Sequence, residues 1–109
     1  MTNPKQINQM MRQVQKMQAD MAAAQESLAA ETVEASVGGG VVKATVTGTG
    51  ELQSVSISPD VVDPDDVEML EDLIVAAVSD ALRASRALQE SRLGGIAGGM
   101  AGGLGLPGL

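Results

Sequence analysis

Chemistry at neutral pH is left to carboxylates, ammonium groups and guanidinium groups, because the chain has no His, no Cys and no Phe, Trp or Tyr. Without imidazole or thiol, the usual zinc sites and His-activated nucleophiles are unavailable. Without aromatic rings there is no stacking platform for single-stranded nucleic acid. The acids gather at Asp60, Asp63, Asp65, Asp66, Glu68, Glu71 and Asp72. That run lacks the glycine and alternate-residue spacing of a calcium loop, and Pro64 stands in its way. It reads as the charged start of a helix, not as a metal site. No group is paired in a catalytic pattern, so no enzyme, cofactor or small-molecule substrate is expected.

The basic residues are placed differently. Met1–Gln18 carries Lys5, Arg12 and Lys16 and no acid, a local charge of +3. The middle, Ala19–Asp80, carries thirteen acids against Lys43 alone, and Ala81–Leu109 carries Arg83, Arg86 and Arg92 against Glu90. The total of −7 therefore hides positive charge at both outer ends of the sequence. By default the stripe of Lys5, Arg12 and Lys16 reads as a solvated helix face.

Those cations must be carried by helices. Asn3 followed by Pro4 makes an N-cap and first helical residue. Ile7, Met10, Val14, Met17, Met21, Ala24 and Leu28 then recur at spacings of three and four, an apolar seam. Lys5, Arg12 and Lys16 fall on the face opposite. A second helix is expected to start at Asp63-Pro64 and to carry Val67, Leu70, Ile74, Ala77, Ala81, Ala84 and Leu88, stopping near Gly94. The methionines are read as core filler.

Between the helices, residues Glu31–Pro59 alternate β-branched and polar side chains. Val33, Ala35 and Val37, then Val42, Ala44 and Val46, then Val55 and Ile57 share parity, which predicts three half-buried strands in an antiparallel meander. Gly38-Gly39-Gly40 and Gly48-Thr49-Gly50 are expected to supply the positive φ of tight hairpins. Leu52 breaks the parity, and a bulge or longer turn is expected just before it. The fold class is α+β, an α-β-β-β-α subunit in two layers. Residues 1–93 form the domain and residues 94–109, rich in glycine, a flexible tail.

A helix of this length runs ~40 Å, whereas a strand of six or seven residues spans ~20–23 Å. About half of each helix, Pro4–Lys16 and Ala81–Leu93, is therefore expected to overhang the sheet with its seam bare. An unpaired seam calls for a second copy, so a homodimer is expected, with Ile7, Met10, Val14, Met17, Met21, Leu70, Ile74 and Leu88 as its dimer and core residues.

At this point the chain resembles the YbaB/EbfC nucleoid-associated proteins of bacteria, over residues 5–93. The likeness lies in Met11-Arg12-Gln13-Val14-Gln15-Lys16-Met17-Gln18, in Gly39-Gly40-Val41-Val42-Lys43-Ala44-Thr45-Val46-Thr47-Gly48, in Gly50-Glu51-Leu52-Gln53-Ser54-Val55-Ser56-Ile57, and in Glu71-Asp72-Leu73-Ile74-Val75-Ala76-Ala77 with Asp80-Ala81. The resemblance implies a tight dimer whose helices project like jaws and bind double-stranded DNA with little sequence preference. The DNA-contacting positions it implies are Arg12 and Lys16, together with Lys5, Arg83, Arg86 and Arg92.

The leading expectation is thus a homodimeric protein that grips duplex phosphate with helical arms. The alternative is a protein-interaction adaptor or holdase-like clamp using the Met/Leu seams. Residues 1–20 lack the apolar core of a signal peptide. The uncharged stretch Leu93–Leu109 is too short and glycine-rich to span a bilayer. No membrane partner is expected, and the location expected is the cytoplasm and nucleoid.

Overall fold

The computed structural model describes the backbone of residues 3–103 and the side chains of residues 3–96. Its order is α1 (Pro4–Ala30), β1 (Thr32–Val37), β2 (Val42–Thr47), β3 (Leu52–Ile57), a 3-10 turn (Pro59–Val61) and α2 (Val67–Gly103). The subunit is α-β-β-β-α, and the strands form one antiparallel sheet in the order β1-β2-β3.

Strand parity places three apolar rows across one face: Val37–Val42–Ile57, Ala35–Ala44–Val55 and Val33–Val46–Leu52. Helix α2 lies on that face. Ala77 and Ala81, with no side chain beyond Cβ, let its backbone approach Val42, Ala44 and Val46, and all five are fully buried. Leu70, Leu73, Ile74, Val78 and Leu82 pack around them. The other face presents Glu34, Ser36, Lys43, Ser54 and Ser56, all exposed. Helix α2 packs mainly on β1 and β2 and only marginally on β3.

Local chemistry sets most element ends. Asn3 caps α1 by accepting from the amides of Lys5 at 2.7 Å and Gln6 at 3.2 Å. The start of α2 differs from expectation. Asp63 instead accepts from the Asp65 amide at 2.9 Å, closing a local turn, and Asp66 caps the helix by accepting from Met69 N at 3.2 Å. Several aspartates compete for this role, and the path from the 3-10 turn selects the last suitable one. The expected stop at Gly94 does not occur, since α2 continues to Gly103. Glycine costs a helix about 1 kcal/mol relative to alanine without blocking it, and the next proline is Pro107. The first part of the expected tail is therefore helical, and residues 104–109 lie outside the described residues.

Two further expectations need correction. The bulge in β3 falls after Leu52: Thr45 pairs with Ser54 and Val46 with Leu52, leaving Gln53 as the extra residue. That slip returns Leu52 to the apolar face. Among the glycines, Gly38, Gly39, Gly40 and Gly50 have positive φ, but Gly48 does not. Gly48 is needed for space, because a Cβ there would lie 2.5 Å from the Leu28 carbonyl oxygen. This is where the end of α1 crosses the β2–β3 turn, and Leu28 is fully buried beside it.

Gly48→Ala should consequently be the more damaging of two glycine substitutions. We expect a loss of about 1–3 kcal/mol from overpacking for Gly48→Ala, and about 1–2 kcal/mol for Gly39→Ala, where a Cβ meets nothing but φ is +76°. Urea denaturation of both variants measures the difference. Equal stability of Gly48→Ala and wild type would remove this contact from the account.

Candidate nucleic-acid interface

The cations divide according to how the helices leave the sheet. Ser85, fully buried, donates its hydroxyl to the Thr47 carbonyl at 2.9 Å. Further along α2, Arg92 donates to Glu31 Oε2 at 2.7 Å and Oε1 at 2.9 Å, and to Ser27 Oγ at 3.0 Å. Glu31 is the residue between α1 and β1. Helix α2 therefore runs along the sheet toward the Thr32/Thr47 end, passes the end of α1, and leaves beside it. Both helices project from the same end, and the longest dimension is 75 Å.

This corrects the expected overhang of α2. Ala81 and Ser85 are buried, and Arg92 lies at the junction with α1, so Ala81–Leu93 does not overhang the sheet as a free segment. The expected overhang of α1 is present, with every residue of Pro4–Lys16 exposed. Its seam is covered within the chain only toward the sheet: Ala24 and Leu28 are buried and Met17 and Met21 half-buried, while Ile7, Met10, Met11 and Val14 are bare. On α2, Leu70, Ile74 and Leu88 are half-buried in the fold.

The candidate contact residues differ in their commitments. Among the described residues, Lys5, Arg12 and Arg86 make no ion pair and are exposed. Lys16 pairs with Asp20 at 3.3 Å and Arg83 with Asp80 at 3.0 Å, each within one exposed helix turn. Such pairs contribute little and exchange readily. Arg92 is held more firmly, by two parallel bonds to one carboxylate, with Ser27 donating to Glu31 Oε2 at 2.8 Å. The guanidinium bonds of Arg92, followed by the Ser27 hydroxyl, hold the Glu31 carboxyl down at about 2, and Glu31 in turn raises Arg92.

Sequence periodicity did not single out Ser27, Glu31 or Ser85. A serine at the fourth position after buried Ala81, within an apolar stripe, was the available signal for Ser85. Nothing local linked Arg92 with Glu31. Lys43, outside the arms, is exposed on the polar face of the sheet.

The fold is a two-layer body with both helices leaving the same end of the sheet. The chain belongs to the YbaB/EbfC DNA-binding family, whose model matches residues 3–100. It is 54% identical over 103 residues to a nucleoid-associated protein of Streptomyces griseus, covering 94% of this chain and 90% of the relative. It is 52% identical to a nucleoid-associated protein of Mycobacterium sp. (strain KMS), with 94% and 93% covered, and 50% identical to one of Ruminiclostridium cellulolyticum, with 94% and 87% covered. In fold it is similar to a crystal structure of an uncharacterized protein from Helicobacter pylori, at a TM-score of 0.67 and 19% identity, covering 84% of this chain and 92% of that one. No helix among the described residues is long and apolar enough to cross a membrane.

The Glu31–Arg92 pair gives an acid-dependent prediction. A carboxyl whose pKa is lowered on folding stabilises the fold above its unfolded value of 4.5 and loses that contribution as pH falls toward about 2. The Tm of wild type should drop more steeply across that window than the Tm of Glu31→Gln. Parallel Tm–pH curves for the two proteins would count against the pair.

Proposed function

We propose that the protein acts as a homodimer that binds double-stranded DNA along its phosphate backbone, with little sequence preference, through basic residues on its helical arms. The observation that carries this reading is the exposure of Lys5 and Arg12, without an ion pair among the described residues, on the half of α1 that overhangs the sheet, with Arg86 likewise exposed on the part of α2 that still lies along the sheet. Lys16 and Arg83 add to them by exchanging a neighbouring carboxylate for phosphate. Arg92 differs: its bonds to Glu31 and Ser27 suit it to fixing the angle between the arms. Phosphate contacts position a protein on the duplex but do not read bases. The exposed tip of α1 carries Lys, Arg, Gln and Met, without the helix-turn-helix geometry that presents a reading helix.

The field favours the tips despite the net charge of −7. Screening acts over ~8 Å at physiological salt, while the exposed half of α1 reaches ~20 Å beyond the junction. The acidic start of α2 lies at the far end of the sheet, because the helix begins at the β1–β2 hairpin, where Leu73 meets Gly38. The relatives' name, nucleoid-associated protein, supports the nucleoid as the place of work.

A second reading is favoured by one observation, the bare Ile7, Met10, Met11 and Val14 on α1. In that reading the arm captures protein through apolar contact, as an adaptor or holdase-like clamp. Salt separates the two readings, since phosphate binding weakens steeply with ionic strength and apolar capture does not.

Fluorescence anisotropy with a labelled duplex should give a Kd of ~10⁻⁴–10⁻⁶ M that worsens as salt rises. Changing Arg12→Glu and Lys16→Glu together should abolish binding while circular dichroism and dimer mass stay unchanged. Retained binding in that variant removes the arms as the site, and salt-insensitive binding by wild type favours the clamp.

A further inference from the structure

The tip of α1 carries an apolar groove that the described residues leave open. Ile7, Met10, Met11 and Val14 are between 45% and 60% exposed, and with Gln15 they line a hollow of about 460 Å³. They share one side of the helix, and Lys5, Arg12 and Lys16 lie on the other. Toward the sheet the seam is covered, with Met17 and Met21 half-buried and Ala24 buried. Helix α2 supplies that cover. Beyond Arg92, which reaches Ser27 and Glu31, Leu93 and Ile96 are half-buried although the sheet has ended, so they lie against α1. The two helices run antiparallel here, since α1 enters the sheet where α2 leaves it.

We propose that residues 104–109, Leu104-Gly105-Leu106-Pro107-Gly108-Leu109, dock in the α1 groove of their own chain. The reach fits. Arg92 and Gly103 are separated by ~16 Å of helix. The same rise, taken back along α1 from Ser27, arrives at about Lys16. The groove begins just beyond, and Ile7 at its far end is another ~14 Å of helix away. Residues 104–109 span ~20 Å when extended. Pro107 directs that form, because it cannot continue a helix and holds Leu106 toward extended backbone. Leu104 and Leu106 then point the same way, ~6.6 Å apart, against Val14 and Met10, which stand ~6 Å apart along α1. Leu104 meets Val14, Leu106 meets Met10, and Leu109 passes Ile7.

Composition and tethering select this occupant. No charged residue occurs from Leu93 to Leu109, so the segment enters an apolar groove without taking a charge out of water. It starts at the groove's edge, where a short tether holds it at an effective concentration of roughly millimolar order. A separate protein must outcompete that. Docking leaves Lys5, Arg12 and Lys16 open on the other side of α1 while it closes the apolar side. The arm is then a surface for anions with its sticky face covered from within. The inference depends neither on the homodimer nor on DNA binding, and it stands against the clamp reading in the full chain.

The chain has no aromatic residue and no cysteine, so one introduced label reports alone. In the full chain, Leu106→Trp should emit at shorter wavelength than the same protein in urea and should resist quenching by iodide. Adding Met10→Glu and Val14→Glu, at exposed positions, should return both readings to their urea values with unchanged circular dichroism. Emission at the urea position in the Leu106→Trp protein overturns the proposal and leaves the groove to a separate protein. A blue shift that survives both Glu changes overturns it too, because the segment then packs elsewhere. Disulfide trapping makes the test without the bulky ring. Met10→Cys with Leu106→Cys should oxidise to a cross-link within one chain, at single-chain mass on a denaturing gel without reductant. Gln9→Cys with Leu106→Cys, on the other side of the same helical turn, should cross-link far more slowly. Equal rates for the two pairs overturn the docking. A product of doubled mass puts the segment in a second copy's groove and overturns the assignment to its own chain.

Discussion

One helix about 10 Å wide is laid on a sheet whose strands are ~4.8 Å apart. It can seal two strands well, and here it seals β1 and β2. Ala77 and Ala81 bring its axis close, which deepens the contact with Val42, Ala44 and Val46 but narrows the area covered. The third strand keeps its apolar side on the same face, but α2 reaches it only marginally, so Val55 is half-buried while Leu52 and Ile57 stay exposed. Without aromatic side chains to spread over the gap, the chain buries a core of small and medium aliphatics. Most of its other surfaces follow from this shortfall in cover.

The junction of α1, α2 and the β2–β3 turn is the second fixed point. Gly48 admits the Leu28 backbone, Ser85 meets the Thr47 carbonyl, and Arg92 clasps Glu31. These contacts join residues far apart in the sequence and set the direction in which both helices leave. The body beyond them is acidic and the exposed half of α1 is basic, so the junction also separates the two charge regions.

The family and the fold class were legible in the sequence because both are carried by local pattern. Alternating parity identifies a strand face whatever lies above it, and Asn3-Pro4 caps a helix through its own side chain and fixed φ. The separation of bases from acids along the chain was equally plain. Less legible were choices among near-equivalents. Either Asp63 or Asp66 could cap α2, and a glycine in a turn can serve for positive φ or for close approach. The length of α2 past Gly94 was not legible either, because glycine weakens a helix without ending it.

By itself, then, the sequence determined which residues are apolar together, where the strands alternate, and where positive charge gathers. Only the tertiary structure decided which half of the α1 seam is covered, that α2 covers β3 only marginally, and that, among the described residues, Arg92 is ion-paired while Lys5, Arg12 and Arg86 are not. The physical reason is range. Backbone geometry and side-chain direction repeat over two to four residues and leave a periodic trace. The Arg92–Glu31 contact spans 61 residues, and its existence depends on the path the chain takes around the sheet.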